Sequence, residues 1–221
     1  MKTLVILSGG MDSVTLLYKC FEEAGQNPDS VQAISFNYGQ RHSVELEMAK
    51  KNCEFLKVQH KVVDITNLQE LLKGSALTDS IDVPEGHYQD ENMKLTVVPN
   101  RNSIMANIAI GYAISLGFDR VALGVHAGDH AIYPDCRPLF IKALAVLAEV
   151  ANYKAIDIYT PFLHLSKGQI VGEGIKYDVP YAFTHTCYKG TYPACGKCGS
   201  CCERREAFAQ NNKQDPIEYE Q

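Results

Sequence analysis

Five short runs rich in β-branched and aliphatic residues recur along the first 180 positions: Thr3–Leu7, Val31–Asn37, His60–Ile65, Arg120–Val125 and Ala155–Thr160. Helical stretches separate them. Asp12–Ala24 is closed by Gly25, Ser43–Leu56 is capped by Ser43, and Asn102–Leu116 is closed by Gly117. A fourth helix starts at Arg137 with Pro138 in its first turn, and a fifth starts at Ser166. Strands alternating with helices of this length require right-handed crossovers, and those build one kind of sheet. The expected fold class is therefore α/β, an open parallel sheet with helices on both faces. Ligands of such a sheet bind beyond the carboxyl ends of its strands, where the strand order reverses.

The rhythm stops after about Asp178, and the polar tract Gly74–Lys94 interrupts it once, reading as a long functional or mobile loop. At 221 residues the chain can bury one good-sized core plus a small appendage. A net charge of −5 leaves no broad basic surface, so stable nucleic-acid binding is not expected. The apolar run after Lys2 is too short for a signal peptide. The longest uncharged stretch, Asn102–Phe118, falls short of a membrane span. The expectation is a cytoplasmic protein with no membrane partner.

The first strand ends in "SGGMDS", Ser8–Ser13. Two glycines let a ligand approach the backbone, and Asp12 and Ser13 sit where a helix begins. Free amides at a helix N-terminus with hydroxyls on both sides suit an anion. Neither a G-x-G-x-x-G nor a G-x-x-x-x-G-K-[ST] loop occurs; "GTYPACGKC" has five intervening residues and ends in Cys.

Eight cysteines are unevenly placed: Cys20, Cys53 and Cys136 are scattered, whereas Cys187, Cys195, Cys198, Cys201 and Cys202 fall within sixteen residues. The spacing Cys187-x7-Cys195-x2-Cys198-x2-Cys201, with Gly196 and Gly199 in the turns, suits a four-thiolate metal site. Zn²⁺ is one candidate and an iron–sulfur cluster the other. Cys202 is the spare thiol.

S-G-G-x-D-S resembles the PP-loop of the ATP pyrophosphatases, whose fold is of the adenine-nucleotide-hydrolase, Rossmann-like type. Further stretches narrow the likeness: "FNYGQRH" (Phe36–His42), "VVPNRN" (Val97–Asn102), "YPDCR" (Tyr133–Arg137), "TPFLHLSKGQI" (Thr160–Ile170) and "CGKCGSC" (Cys195–Cys201). In this order they resemble the 7-cyano-7-deazaguanine synthase family of queuosine biosynthesis over nearly the whole chain. The resemblance implies ATP-dependent conversion of 7-carboxy-7-deazaguanine and ammonia to the nitrile, with AMP and pyrophosphate released. It implies ATP with Mg²⁺ as substrate, one structural Zn²⁺ on Cys187, Cys195, Cys198 and Cys201, and a homodimer. The ATP site would comprise Leu7, Ser8, Gly9, Gly10, Met11, Asp12, Ser13 and Phe36, with Arg101, Lys167 and Asp135 serving the chemistry. Asp135 or Asp129 would meet the deazaguanine edge. Residues 1–180 form the ATP-binding α/β domain in this reading, and 181–221 a zinc-binding segment packed on it. "VHAGDHAIYPDCRP" and Asn100 depart from the form familiar in the family. A tRNA-modifying or sulfur-transferring PP-loop enzyme is the alternative.

Overall fold

The first strand, β1 (Thr3–Ile6), lies at the centre of a five-stranded sheet. β2 (Val31–Asn37) and β3 (Gln59–Asp64) extend it on one side, β4 (Arg120–Ala122) and β5 (Asp157–Tyr159) on the other. The order is β3-β2-β1-β4-β5 and every neighbouring pair is parallel. Strand order therefore reverses between β1 and β4. The computed structural model describes residues 1–40, 44–79, 81–86 and 91–220.

Among the described residues six α-helices join or follow the strands: α1 (Met11–Glu23), α2 (Val44–Leu56), α3 (Arg101–Ser115), α4 (Pro138–Val150), α5 (Lys167–Lys176) and α6 (Gly199–Gln210). They cover both faces. Met105, Ala109 and Ile110 of α3 share a core with Ile141, Leu144 and Ala148 of α4 on one face. On the other, Val14 and Leu17 of α1 pack with Ala49 and Cys53 of α2, Ile170 of α5 and Phe208 of α6. The central strands are buried on both sides, which is why they read as unbroken apolar runs.

Boundaries differ from expectation where the chain turns into the reversal point. β4 stops at Ala122 rather than Val125; Leu123 N still donates to Tyr159 O at 3.0 Å, and Gly124 then passes the start of α1, in contact range of the Ser13 backbone. α1 is capped by Gly10, so Asp12 and Ser13 fall inside its first turn. Ser166 caps α5 through a capping box with Gln169, as the sequence suggests. The expected cap Ser43 lies outside the described residues, as do Arg41 and His42. The tract Gly74–Lys94, read as a polar loop, carries apolar anchors: Ala76, Leu77, Val83 and Met93 are buried. Its Glu85 pairs with Cys198, and the Gly86 amide donates to Lys197 O at 3.2 Å.

Candidate functional site

At the reversal point the carboxyl ends of β1 and β4 part around a cleft of about 220 Å³. Its floor is the turn leaving β1. Ser13 Oγ accepts from the amides of Ser8 (3.1 Å) and Gly9 (3.3 Å), and Ser8 Oγ accepts from Gly10 N at 3.1 Å. Three consecutive amides thus converge on oxygen atoms 2.9 Å apart. No side chain caps α1, so its own amides also face the cleft. Such a nest at a helix N-terminus takes an anion's oxygens. Gly9 is needed twice over: its φ is +96°, and a Cβ would stand 1.9 Å from the carbonyl oxygen of Glu45.

Charged groups gather beside this floor. Lys167, the first residue of α5, reaches across to Asp12 Oδ2 at 2.6 Å and to Glu203 Oε2 of α6 at 3.3 Å. Burial opposes the Asp12 charge, but the Lys167 ammonium beside it outweighs burial and holds that carboxyl below the usual range. Burial likewise works against the Lys167 ammonium, and the carboxylates around it push its pKa up instead. His126 is buried; its Nδ1 accepts from Gly128 N at 3.1 Å, so the proton sits on Nε2. That nitrogen points between Asp129 (3.4 Å) and Asp12 (3.8 Å).

The facing wall is aromatic. Phe36 is the last residue but one of β2, and Tyr38 follows the strand's end at Asn37. Arg101 opens α3, donates to Tyr38 Oη at 3.3 Å and lies 5.7 Å from that ring's centre. Tyr133 Oη is 2.7 Å from Thr96 Oγ1 and 3.1 Å from Tyr188 Oη. Flat π-faces with one guanidinium suit an anionic heteroaromatic ligand.

Leu7, Ser8, Gly10, Asp12, Ser13, Phe36, Arg101 and Lys167 all line this single cleft. Gly9 lies beneath the turn, and Met11 is buried in the core behind it. Asp135 is placed elsewhere: its Oδ2 accepts from Asn102 N at 2.9 Å and supplies the cap that Asn100, with φ +54°, does not. Asp129 lines the cleft instead. Sequence reasoning missed Tyr38, Glu203, Thr186 and Tyr188. A faint signal existed, for Thr186 and Tyr188 flank Cys187, and Glu203 follows Cys201 by two.

The sulfur atoms of Cys187, Cys195, Cys198 and Cys201 lie within 4.8 Å of one another, all buried. Tetrahedral Zn–S bonds of about 2.3 Å imply sulfur–sulfur edges of roughly 3.8 Å; the Cys195–Cys201 edge is 4.0 Å. Backbone amides of Cys195, Lys197 and Cys198 point at thiol sulfurs over 3.3–3.5 Å, as knuckles do around bound thiolates. The donor set fits a metal ion. Cys202 turns away toward Lys197 O. This centre is continuous with the cleft, because Thr186, Tyr188 and Ser200 belong to both and His185 N donates to Gly9 O at 3.1 Å. Arg204, fully buried, ties the segment down through Asp215 (2.8 and 3.0 Å), Thr184 Oγ1 (2.7 Å) and Tyr181 O (3.1 Å). Among the described residues no helix is long and apolar enough to cross a membrane.

Comparison with known proteins agrees with this geometry. The chain is similar in fold to the U34-tRNA thiolase NcsA from Methanococcus maripaludis, solved with its 4Fe–4S cluster: TM-score 0.53 at 22% identity, over 94% of this chain and 64% of that one. It is similar also to NMN synthetase from Francisella tularensis, with TM-score 0.50 at 16% identity over 96% and 78% of the two chains. These likenesses concern the fold alone. In sequence it is 53% identical over 219 residues to the 7-cyano-7-deazaguanine synthase of Marinomonas sp. (strain MWYL1), covering 99% of this chain and 98% of that protein. It is 52% identical to 7-cyano-7-deazaguanine synthase 1 of Colwellia psychrerythraea (strain 34H / ATCC BAA-681), covering 99% of both. Residues 2–212 match the family model "Queuosine biosynthesis protein QueC". With a PP-type loop at the reversal point, a four-cysteine centre beside it and full-length matches of this strength, the chain belongs to the QueC family of 7-cyano-7-deazaguanine synthases.

Proposed function

We propose that this chain is an ATP-dependent carbon–nitrogen ligase that converts 7-carboxy-7-deazaguanine and ammonia to 7-cyano-7-deazaguanine. The carboxylate attacks the α-phosphorus of ATP, breaking its bond to the bridging oxygen; acyl adenylate forms and pyrophosphate leaves. Ammonia adds to the acyl carbon and expels AMP, giving the amide and one proton. The amide oxygen then attacks a second ATP. Loss of AMP and a proton leaves the nitrile. Both adenylations create a departing pyrophosphate, and the observation that carries the reading is the Ser8–Ser13 turn at the reversal point, where Ser8, Gly10, Asp12 and Ser13 line the cleft and no side chain caps the start of α1. Preorganised amides beside charge that grows in the transition state are worth most in a site shielded from water.

In this reading Lys167 and Arg101 meet phosphate or carboxylate charge from opposite walls. Phe36 and the backbone of Leu7 and Met11 border the nucleotide. Asp129 accepts from the deazaguanine edge, while Asp135 acts through the helix that carries Arg101. Asp12 Oδ1, buried without a hydrogen-bond partner, would hold the Mg²⁺ that enters with ATP and supplies positive charge to the phosphates. Zn²⁺ is the proposed occupant of the cysteine centre, since four buried thiolates close a tetrahedral shell and leave no position for substrate. The enzyme works in the cytoplasm as a homodimer with no stable nucleic-acid partner. The net charge of −5 speaks against tRNA as substrate.

The test mixes purified protein with 7-carboxy-7-deazaguanine, Mg-ATP and ammonium and follows products by mass spectrometry. The expected result is nitrile with AMP and pyrophosphate. AMP and pyrophosphate without nitrile would reject this substrate, and salt-sensitive binding of tRNA would favour the tRNA-modifying alternative.

A further inference from the structure

α4 is apolar on both sides. Ile141, Leu144 and Ala148 pack on the sheet, yet Leu139 is 78% exposed, Val146 52% and Val150 72%. A helix that is apolar all round belongs in an interior. The outward residues Leu139, Ala143, Val146 and Val150 follow a four-three-four spacing, the repeat by which one helix packs along another. Lys142 borders this seam and Glu149 stands seven residues on along the same edge, both exposed. The other edge carries Phe140 and Leu147.

These spacings specify a partner. We propose that a second copy of this chain packs α4 against α4, antiparallel about a twofold axis between Leu144 and Ala145. In that register Leu139 meets the partner's Val150, and Ala143 meets the partner's Val146. Phe140 meets the partner's Leu147 along one edge. Along the other, Lys142 of each copy faces the partner's Glu149, so one interface has two opposite-charge pairs. A twofold interface must be self-complementary, and a helix with lysine and glutamate seven apart on one edge meets that condition only antiparallel. The inference rests on the homodimer proposed above and names its face and register.

Sedimentation of the full chain, with metal bound, tests it at concentrations from about 0.1 to 50 μM. The parent is expected to be a dimer and Val146→Glu a monomer. Lys142→Glu and Glu149→Lys should each weaken association by roughly tenfold or more through like-charge contact, and the double reversal should restore it. A monomeric parent would overturn the homodimer and the face together. A dimer indifferent to Val146→Glu would overturn the face alone. Failure of the double reversal to restore association, with both single reversals weakened, would overturn the antiparallel register.

Discussion

The two walls of the cleft are built in opposite ways. The floor of the cleft is one contiguous hexapeptide, Ser8–Ser13, whose amides and hydroxyls bind one another at 2.9–3.3 Å. The aromatic wall comes from widely separated segments: Tyr38 after β2, Arg101 on α3, Tyr133 after β4 and Tyr188 beside the cysteine centre. The first wall is shaped chiefly by local backbone geometry, with one distant tie from His185 N to Gly9 O at 3.1 Å. The second exists only when the crossovers and the four-cysteine centre are in place. Damage to the floor should therefore abolish nucleotide chemistry outright, whereas damage to the far wall should weaken it by degrees.

The largest expected effect crosses that division. Stripping the metal should free the segment that carries Thr186 and Tyr188 and take with it a folding contribution of order 10 kcal/mol per structural zinc in small domains. The outcome predicted is a lower Tm and no nitrile, both restored by Zn²⁺, read by calorimetry and product assay. Next is Gly9→Ala. The strained φ and the clash with Glu45 should destabilise the fold by about 3 kcal/mol, measured by urea melts, with pyrophosphate release lost.

Lys167→Met should lower kcat by roughly 10²–10³ and also lower the Tm, because Asp12 and Glu203 lose their buried cation. It should also move a pH limb. Asp12 has a lowered pKa in the parent, so its charge is complete above the ordinary value of 3.8 and is lost only as pH falls through the lowered one. Without Lys167, burial gains the upper hand and the acid limb of the pH–rate profile should shift upward. Tyr38→Phe should be the mildest change, about two- to fivefold in KM, because it removes one hydroxyl near Arg101 and keeps the ring. A loss as large as that of Lys167→Met would erase the distinction between the walls.

What the sequence made legible follows the same line. The five strands and α1 to α5 fall on the segments that periodicity marks, with ends shifted by up to three residues, because burial on both faces writes an apolar run and caps write their own signals. The anion loop and the four cysteines are close in the chain, so spacing alone groups them. The far wall is hidden for the converse reason. Tyr38 looks like a core aromatic until Arg101 arrives against it from α3, 63 residues on. Asp135 looked like a ligand for the substrate edge, and only the tertiary structure shows its carboxylate on the Asn102 amide. Glu203 has only its place two residues after Cys201 to mark it, and its position becomes meaningful once α6 lies beside α5.

The central claim is that both oxygens of the substrate carboxylate leave on AMP at the Ser8–Ser13 loop. Supplying 7-carboxy-7-deazaguanine with ¹⁸O in both carboxylate positions, then weighing the AMP by mass spectrometry, tests it directly. The account predicts two AMP per nitrile, each carrying one ¹⁸O, and unlabelled pyrophosphate. Unlabelled AMP, or label in pyrophosphate or phosphate, would contradict it.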